Sequence, residues 1–187
     1  FTNEILHGDI HTANQKLAGL ESRSQAKTFI YAFIYGAGDE KLGTVVGGGR
    51  ADGQRLKQSF LDNLPSLRNL KNRVTRAAAK GHIKGLDGRK IYIRSAHAAL
   101  NSLLQGGGSI VMKEALCLLN SYIQDNNLDA HFVANIHDEW QIEVLEKDAK
   151  KVGELGILAI QNAGLEFDMK CPLDGEYNIG ANWSETH

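Results

Sequence analysis

The sequence has few of the features that mark secreted, disulfide-rich or membrane proteins. Its 187 residues include only two cysteines, Cys117 and Cys171, which lie far apart and form neither a CxxC pair nor a cluster with histidine. It shows no signal-peptide pattern, and no apolar run is long enough to cross a bilayer. We therefore expect a protein of the reducing cytoplasm that has no membrane partner.

A glycine-rich segment, residues 43–53, lacks the residues of the common phosphate-binding loop. It reads Gly-Thr-Val-Val-Gly-Gly-Gly-Arg-Ala-Asp-Gly. Arg50 follows the glycines, whereas that loop requires a lysine followed by a hydroxyl residue. The segment therefore predicts a hinge or a loop and not a nucleotide-binding loop.

A net charge of only −1 conceals a strong asymmetry between the two halves of the chain. Residues 1–100 carry 16 Lys+Arg and 8 Asp+Glu, whereas residues 101–187 carry 5 and 14. The basic excess is greatest in residues 50–94, with 12 Lys+Arg against 3 Asp+Glu. A basic half suits a polyanion such as DNA, and an acidic half suits divalent cations or a solvated surface. With 42% hydrophobic residues, the chain can bury the core of one or two small domains.

Residues 23–36 have the pattern of a helix with two unlike faces. Positions four apart carry cations and phenols, namely Arg23, Lys27, Tyr31 and Tyr35. A second set of positions is apolar, namely Phe29, Ile30, Phe33 and Ile34. The apolar face predicts burial, and the other face suits a triphosphate followed by a nucleobase. An ordinary amphipathic helix fits the same spacing. We expect Gly36 to end the helix in a left-handed conformation.

Residues 131–144 predict a β-hairpin. Apolar residues alternate on both sides of a polar tip, namely Phe132, Ala134, Ile136, Trp140, Ile142 and Val144. The tip consists of His137, Asp138 and Glu139. Such a tip is either a solvated turn or a functional site.

Weaker patterns predict the remaining elements. Residues 3–8 resemble the end of an element that begins earlier, and Asp9 or Thr12 is suited to cap the next helix. We predict helices over 54–80, 110–123 and 147–163, the second preceded by a helix-weakening glycine run at 106–108. Residues 83–93 predict two short strands around a tight turn, and residues 167–173 predict an edge strand. The inward positions are expected to be Leu56, Phe60, Leu64, Leu67, Leu70 and Val74, then Ile110, Val111, Ala115, Leu118, Leu119 and Tyr122, then Val152, Leu155, Leu158 and Ala159.

Taken together and in this order, the motifs resemble those of the family A DNA polymerases, most closely the phage replicative branch. The helix at 23–36 matches motif B, with arginine, lysine and tyrosine at intervals of four residues before Tyr-Gly. The Ile-His-Asp-Glu tip at 136–139 matches motif C, and the ending Gly-x-Asn-Trp-x-x-x-His is similar to the C-terminus of that family. The resemblance implies a helix-rich α+β fold, with polymerase fingers in residues 1–95. Residues 96–187 would form the C-terminal part of the palm, with a small antiparallel sheet.

The resemblance also implies residue roles on the nucleotide side. His11, Arg23 and Lys27 would bind the triphosphate of an incoming dNTP, and Lys27 would protonate the departing pyrophosphate. Tyr31 would lie under the sugar, where a tyrosine implies acceptance of dideoxynucleotides. Tyr35 would stack where the templating base enters.

On the metal and DNA side, the resemblance implies that Asp138 binds catalytic Mg²⁺ and that Glu139 assists nearby. Asn101 and Gln105, four positions apart on one predicted helix face, would contact primer-template bases from the minor groove, although a plain helix surface fits the same pair. His137 would orient the tip or contact the DNA. Family A enzymes bind two Mg²⁺ ions and need a second aspartate from motif A.

No Asp-x-Ser-x-x-Glu pattern of motif A occurs in the chain. The resemblance therefore implies that the second aspartate and the thumb lie upstream, that Phe1 is a truncation point and His187 the natural end, and that this chain alone is inactive. The protein would act in the bacterial cytoplasm or, as a viral protein, in a host cell. Two alternatives stay open: a non-catalytic module that binds primer-template DNA, and a relative of the single-subunit RNA polymerases. The latter usually carry His-Asp-Ser where this chain has His-Asp-Glu.

Overall fold

The computed structural model describes residues 8–187, so the element predicted to end in residues 3–8 lies almost entirely outside the described residues. The helices are α1 Ile10–Ala18, α2 Arg23–Ile34, α3 Asp39–Thr44, α4 Arg50–Asn63, α5 Pro65–Ala78, α6 Ala99–Asp125, α7 Glu146–Glu166 and α8 Trp183–Thr186. The strands are β1 His82–Lys84, β2 Lys90–Tyr92, β3 Ala130–Ile136 and β4 Glu139–Val144. Each strand pairs antiparallel with its neighbour in sequence, β1 with β2 and β3 with β4. The predicted helix-rich α+β class is confirmed.

The chain divides into two compact units, with the boundary between Leu104 and Gln105 inside α6. The first unit holds helices α1 to α5 and the β1–β2 hairpin, and the second holds the β3–β4 hairpin with α7 and α8. Each unit has hydrophobic clusters of its own. The assignment of residues 1–95 and 96–187 to fingers and palm stays a prediction.

Three phenylalanine rings form the centre of the first unit. Phe29 and Phe33 of α2 meet Phe60 of α4 edge to face, with ring centroids 5.4 and 5.5 Å apart. Phe29 is fully buried and Phe33 nearly so, while Ile30 and Ile34 are partly buried against the same cluster. The face of α2 that the sequence predicts to be apolar and inward is therefore the face that packs.

Both ends of α2 follow from local chemistry. Ser22 caps the first turn by accepting a hydrogen bond from the backbone N–H of Gln25, whose side chain in turn accepts from the Ser22 N–H. The helix ends at Ile34, and Gly36 follows with φ of 78°, in the left-handed region that favours glycine. The predicted start, end and terminating glycine are confirmed.

The predicted loop over 43–53 is mostly wrong. Gly43 lies in α3 and Gly53 in α4, and only the segment between Thr44 and Arg50 turns. A β-carbon on Gly43 would overlap the carbonyl oxygen of Gly49, and one on Gly53 would overlap that of Asp39. These two glycines therefore allow α3 and α4 to pack backbone against backbone. A glycine-rich sequence is equally typical of a flexible turn, so the sequence did not reveal this packing role.

The helical pattern predicted over residues 54–80 is confirmed as two helices, α4 and α5. The break falls at Leu64, which has non-helical backbone angles (φ −128°, ψ 71°). Pro65 follows it as the first residue of α5, and a residue before proline is disfavoured in the helical conformation. Leu56, Phe60 and Val74 are buried as predicted, whereas Leu64, Leu67 and Leu70 are partly buried. The two short strands predicted over 83–93 are β1 and β2, with Gly88 at φ of 86° in the turn.

The second unit is built on α6 and α7. Helix α6 runs without a break through Gly106, Gly107 and Gly108, so the predicted weakening there does not interrupt it. Leu119 and Ala159 are fully buried and belong to one cluster, to which the apolar side chains of β3 and β4 add Phe132, Trp140, Ile142 and Val144. The hairpin prediction is confirmed, with one irregularity in register between Phe132 and Ala134.

Two predictions in the second unit are wrong. Residues 167–173 form no strand, because Phe167 ends α7, Asp168 adopts φ of 50°, and the apolar side chains Phe167 and Leu173 pack singly onto a cluster with Ala163. Leu158, predicted to point inward on α7, is 42% exposed. Among the described helices, none has the length and apolar character needed to cross a membrane.

The tight glycine contact between α3 and α4 predicts a selective loss of stability. Gly43→Ala and Gly53→Ala should each lower the free energy of unfolding by about 1–3 kcal/mol, because the added methyl group forces two backbones apart. The matched control is Gly107→Ala, at a position inside α6 with open space around it. That control should not lower stability, because alanine favours a helix more than glycine does. Urea unfolding followed by circular dichroism measures the difference, and equal effects of all three changes would contradict the packing role.

Candidate functional site

The solvent face of α2 carries the residues that the sequence predicts to bind a nucleotide. Lys27 is exposed, and Tyr31 and Tyr35 are 48% and 59% exposed. They line an open groove of about 570 Å³. The groove is formed by Lys27, Thr28, Tyr31, Ala32, Tyr35, Gly36, Ala37 and Lys41. Two ammonium groups and two phenol rings among the lining side chains give this groove both charge and stacking surfaces.

Lys41 is a member of this groove that sequence reasoning missed. It lies in α3, after the turn at Gly36, and so falls outside the four-residue spacing that identifies the other side chains. The turn between α2 and α3 brings it back to the same side. Nothing in the spacing of the Gly-Asp-Glu-Lys segment at 38–41 indicates that Lys41 lies beside α2.

Arg23, the first residue of α2, is held by Asp9. The Arg23 Nε donates to Oδ2 of Asp9 at 2.7 Å, and both side chains remain about half exposed. This hydrogen bond holds the pKa of the Asp9 carboxyl well below its ordinary value and raises the pKa of Arg23. Asp9 also caps α1, accepting from the His11 N–H at 3.0 Å and from the Thr12 hydroxyl at 2.8 Å. The sequence predicted the cap but not the link between the two helices.

His11 lies in the first turn of α1 and is half-buried. Its Nδ1 atom is buried and has no hydrogen-bond partner within residues 8–187. Asp9 accepts from the backbone N–H of His11 and from the side chain of Arg23, so it links the start of α1 to the start of α2. Of the predicted phosphate ligands, Arg23 is therefore the one whose side chain this carboxylate holds.

The β3–β4 hairpin presents Asp138 at its turn. Ile136 pairs with Glu139, which leaves His137 and Asp138 as the two turn residues. His137 has φ of 55°, an uncommon conformation for a residue other than glycine, and both turn side chains are exposed. Because Trp140 and Ile142 anchor the strands in a hydrophobic cluster, the turn carboxylate has a defined position within its unit.

Glu139, next to Asp138, is engaged by the C-terminal segment. Its carboxylate oxygens accept hydrogen bonds from Gln141 at 2.6 Å and Trp183 at 3.1 Å, and one lies 2.9 Å from His187 Nδ1. These hydrogen bonds, that from Gln141 first, lower the pKa of Glu139 below its ordinary value. The sequence predicted Glu139 as a helper to Asp138 but gave no sign that the last five residues fold back onto it.

The described residues supply part of a metal site and not a whole one. Within residues 8–187 no three His, Cys, Asp or Glu side chains come together as a set that could hold an ion. Asp138 is a hard oxygen donor, exposed and fixed on a hairpin, which suits Mg²⁺ because that ion takes only one or two carboxylates from protein. Asp138 therefore fits as one ligand of an ion whose other ligands come from elsewhere.

The predicted DNA-contacting residues differ in environment. Asn101 lies in α6 and is half-buried, with its Oδ1 atom buried and lacking a hydrogen-bond partner in the described part of the chain. Gln105, one turn further along α6, is exposed.

The basic segment at residues 50–94 presents fewer unpaired cations than its composition suggests, because Arg55, Lys57, Arg68 and Arg89 form ion pairs with aspartates.

Comparison with known proteins identifies the family. The family model for DNA polymerase family A matches residues 5–185. This chain belongs to DNA polymerase family A. It is 46% identical over 190 residues to a DNA-directed DNA polymerase of Escherichia phage Phieco32, a match that covers 98% of this chain and 31% of that protein. It is 38% identical over 209 residues to the DNA-directed DNA polymerase of Escherichia phage T7, covering 100% of this chain and 30% of that protein.

More distant relatives agree with this family. DNA polymerase I of Pseudomonas aeruginosa is 28% identical over 180 residues, covering 89% of this chain and 19% of that protein. Among solved structures, the POL domain of Pol1 from M. smegmatis, described as a complex with DNA primer-template and dNTP, matches with a TM-score of 0.77. That match has 22% identity and covers 87% of this chain and 32% of the other, and it shows the fold. The chain spans about three tenths of the length of the phage relatives it matches.

The contacts of Glu139 predict an acid-sensitive attachment of the C-terminal segment. Because they lower the pKa of Glu139, the carboxylate stabilises the attachment fully above the ordinary glutamate pKa and loses that contribution as pH falls through the lowered value. In a Trp140→Phe background, the fluorescence of Trp183 should therefore change between about pH 5 and pH 2.

Replacing Glu139 by glutamine should largely remove this pH dependence of the Trp183 signal. Glu143→Gln is the matched control, since Glu143 is an exposed glutamate on the same strand. The control should keep the acid transition of the parent chain. An identical transition in Glu139→Gln would contradict the proposed cause.

Proposed function

We propose that this chain is the C-terminal part of an enzyme that synthesises DNA on a template, transferring nucleotidyl groups from dNTPs to a primer 3′-hydroxyl. The observation that carries the proposal is the exposed face of α2, where Lys27, Tyr31 and Tyr35 line one groove. Family membership and the near-complete coverage of this chain by phage DNA polymerases support it. The names of those relatives describe template-copying DNA enzymes, and the groove offers the matching chemistry for a nucleotide.

Binding of the triphosphate is assigned to His11, Arg23 and Lys27. Lys27 has no ion-pair partner within residues 8–187, so its ammonium is available to a phosphate oxygen and can donate a proton to the leaving pyrophosphate. Arg23 is already paired with Asp9, which orients its guanidinium while leaving its terminal nitrogens to a phosphate. The exposed Lys41 side chain extends this positive region beyond the residues that the motif indicates.

Tyr31 of α2 and Tyr35, which directly follows that helix, are assigned to the sugar and the base. Tyr31 lies one turn beyond Lys27, so a nucleotide whose phosphates meet Lys27 places its sugar against that ring. Tyr35 is the last, most exposed ring of the face and offers a stacking surface for the templating base.

The metal-binding part of the reaction is assigned to Asp138, with Glu139 beside it. Bound Mg²⁺ ions would activate the primer hydroxyl and neutralise the departing pyrophosphate. Asp138 would supply one carboxylate, and the second would come from a motif A strand outside this chain. Glu139 contributes indirectly, because its carboxylate anchors the C-terminal segment through Trp183 and His187.

Contacts to primer-template DNA are assigned to Asn101, Gln105 and His137. The buried, unpaired Oδ1 atom of Asn101 supports this assignment, since such an atom costs free energy until a donor reaches it. The exposed Gln105 amide and the exposed His137 ring offer further donors. Contacts of this kind from the minor groove sense the geometry of a base pair more than its sequence.

The proposal predicts that this chain extends a primer only with the missing part of the enzyme. Mixed with a polypeptide carrying the upstream motif A and thumb of a close relative, it should extend a primer with Mg²⁺ and four dNTPs, and alone it should not. Asp138→Ala should abolish extension by the mixture, because one of the few carboxylate ligands is lost.

Asp129→Ala is the matched control, since Asp129 is an exposed aspartate of the same unit that has no assigned role. It should leave extension unchanged. Extension by the isolated chain would disprove the predicted inactivity. If the mixture binds primer-template DNA in a salt-sensitive manner but extends nothing, only a DNA-binding module is supported.

Tyr31 predicts how the enzyme treats nucleotides that lack the 3′-hydroxyl. In the active mixture, Tyr31→Phe should reduce incorporation of dideoxynucleotides relative to deoxynucleotides by at least about tenfold, because the phenol hydroxyl is lost while the ring remains. Competition between the two nucleotide types in primer extension measures this ratio. Tyr122→Phe, which alters a tyrosine of α6 in the second unit, should leave the ratio unchanged. An unaltered ratio in Tyr31→Phe would refute the assignment of Tyr31 to the sugar.

A further inference from the structure

The β1–β2 hairpin has two faces of opposite character. Ile83 and Ile91 lie opposite each other in the register, and both belong to a hydrophobic cluster with Val74 and Ala99. Ile83 is almost fully buried. Because side chains alternate along a strand, the neighbouring pairs project from the other face. The hairpin is therefore held in place by its apolar face, and its second face is free to serve another purpose.

An aromatic pair stands on that second face. His82 and Tyr92 lie opposite each other, with ring centroids 6.4 Å apart. Tyr92 is 79% exposed, more than any other large hydrophobic side chain of the described residues. Because the opposite face of the hairpin anchors the strand, this ring is held in place and remains accessible to a ligand.

Two lysines lie beside the aromatic pair on the same face. Lys84 and Lys90 are direct partners in the register, and both are exposed. Like charges placed directly opposite each other destabilise a strand pair. Neither lysine has an ion-pair partner within residues 8–187, and the carboxylate nearest in sequence, that of Asp87, is bound to Arg89 at 2.6 Å. The exposed Arg94, two residues beyond Tyr92, adds a further cation.

We propose that this face, formed by His82, Lys84, Lys90 and Tyr92, binds single-stranded DNA. If the proposed polymerase function holds, that strand is the template not yet copied. Single-strand binding sites combine cations that contact the phosphates with aromatic rings on which bases stack, and stacking tolerates any sequence. Residues two positions apart on a strand lie about 7 Å apart, so one base can stack on Tyr92 while adjacent phosphates reach the lysines.

An acidic peptide would match the charge of this face but not its aromatic half. A carboxylate can accept a hydrogen bond from the phenol hydroxyl, but it gains nothing from the face of the ring, which carries the negative part of the quadrupole. A nucleobase gains from it directly. The occupant that satisfies both halves of the surface is therefore a nucleic acid strand with unpaired bases.

The test measures binding of a labelled oligothymidylate to this chain by fluorescence anisotropy. The oligonucleotide has about 20 nucleotides, which exceeds the usual site size. The buffer contains EDTA and no nucleotide, so the result does not depend on catalysis. Tyr92→Ala should weaken binding about tenfold, whereas Tyr92→Phe, which keeps the ring, should stay within about twofold of the parent chain. The plot of the logarithm of the binding constant against the logarithm of the salt concentration has a negative slope. Removing both lysines, by Lys84→Ala and Lys90→Ala, should make that slope less steep by about 1.4.

Lys151→Ala is the matched charge control, because Lys151 is an exposed lysine of α7 to which no role is assigned. It should change neither affinity nor slope. Unchanged binding by Tyr92→Ala would overturn the proposal, as would equal competition by polyglutamate, which would indicate an acidic peptide instead. Failure of primer extension alongside a clear Tyr92 effect would overturn the polymerase function alone.

Discussion

The burial of Phe29 and Phe33 against Phe60 determines which side of α2 meets solvent. Because these rings interlock edge to face, α2 cannot rotate about its axis without opening the centre of the first unit. Its other side must then present Lys27, Tyr31 and Tyr35 in a fixed row. Core packing and the proposed nucleotide binding thus use opposite faces of one helix.

In both hairpins, too, packed apolar side chains hold the exposed candidate site residues in position. In β3–β4, the side chains of Trp140 and Ile142 pack in a cluster, and the turn that bears Asp138 projects from them. In β1–β2, Ile83 anchors the strands and leaves Tyr92 exposed. Each polar or aromatic group is positioned by apolar residues adjacent to it in sequence, which orders the groups without burying them.

Some of the basic side chains form ion pairs within the protein. Several cations of the basic half are already neutralised, such as Lys57 by Asp39 across α3 and α4 and Arg23 by Asp9 across α1 and α2. These pairs tie helices together, so they belong to the architecture as much as to any polyanion site. Three of the cations that have no ion-pair partner in the described residues are Lys27 on the α2 face and Lys84 and Lys90 on the β1–β2 hairpin.

Local patterns in the sequence by themselves determined α2, both hairpins and the inward face of α6, because each depends on residues close together along the chain. The family followed from the resemblance of several motifs taken in order. Tertiary structure decided the rest. Gly43 and Gly53 are packing residues only because α3 and α4 approach so closely, and residues 167–173 form no strand because their side chains find separate contacts. The links from Asp9 to Arg23 and from Glu139 to His187 join positions distant in sequence, which no local pattern encodes.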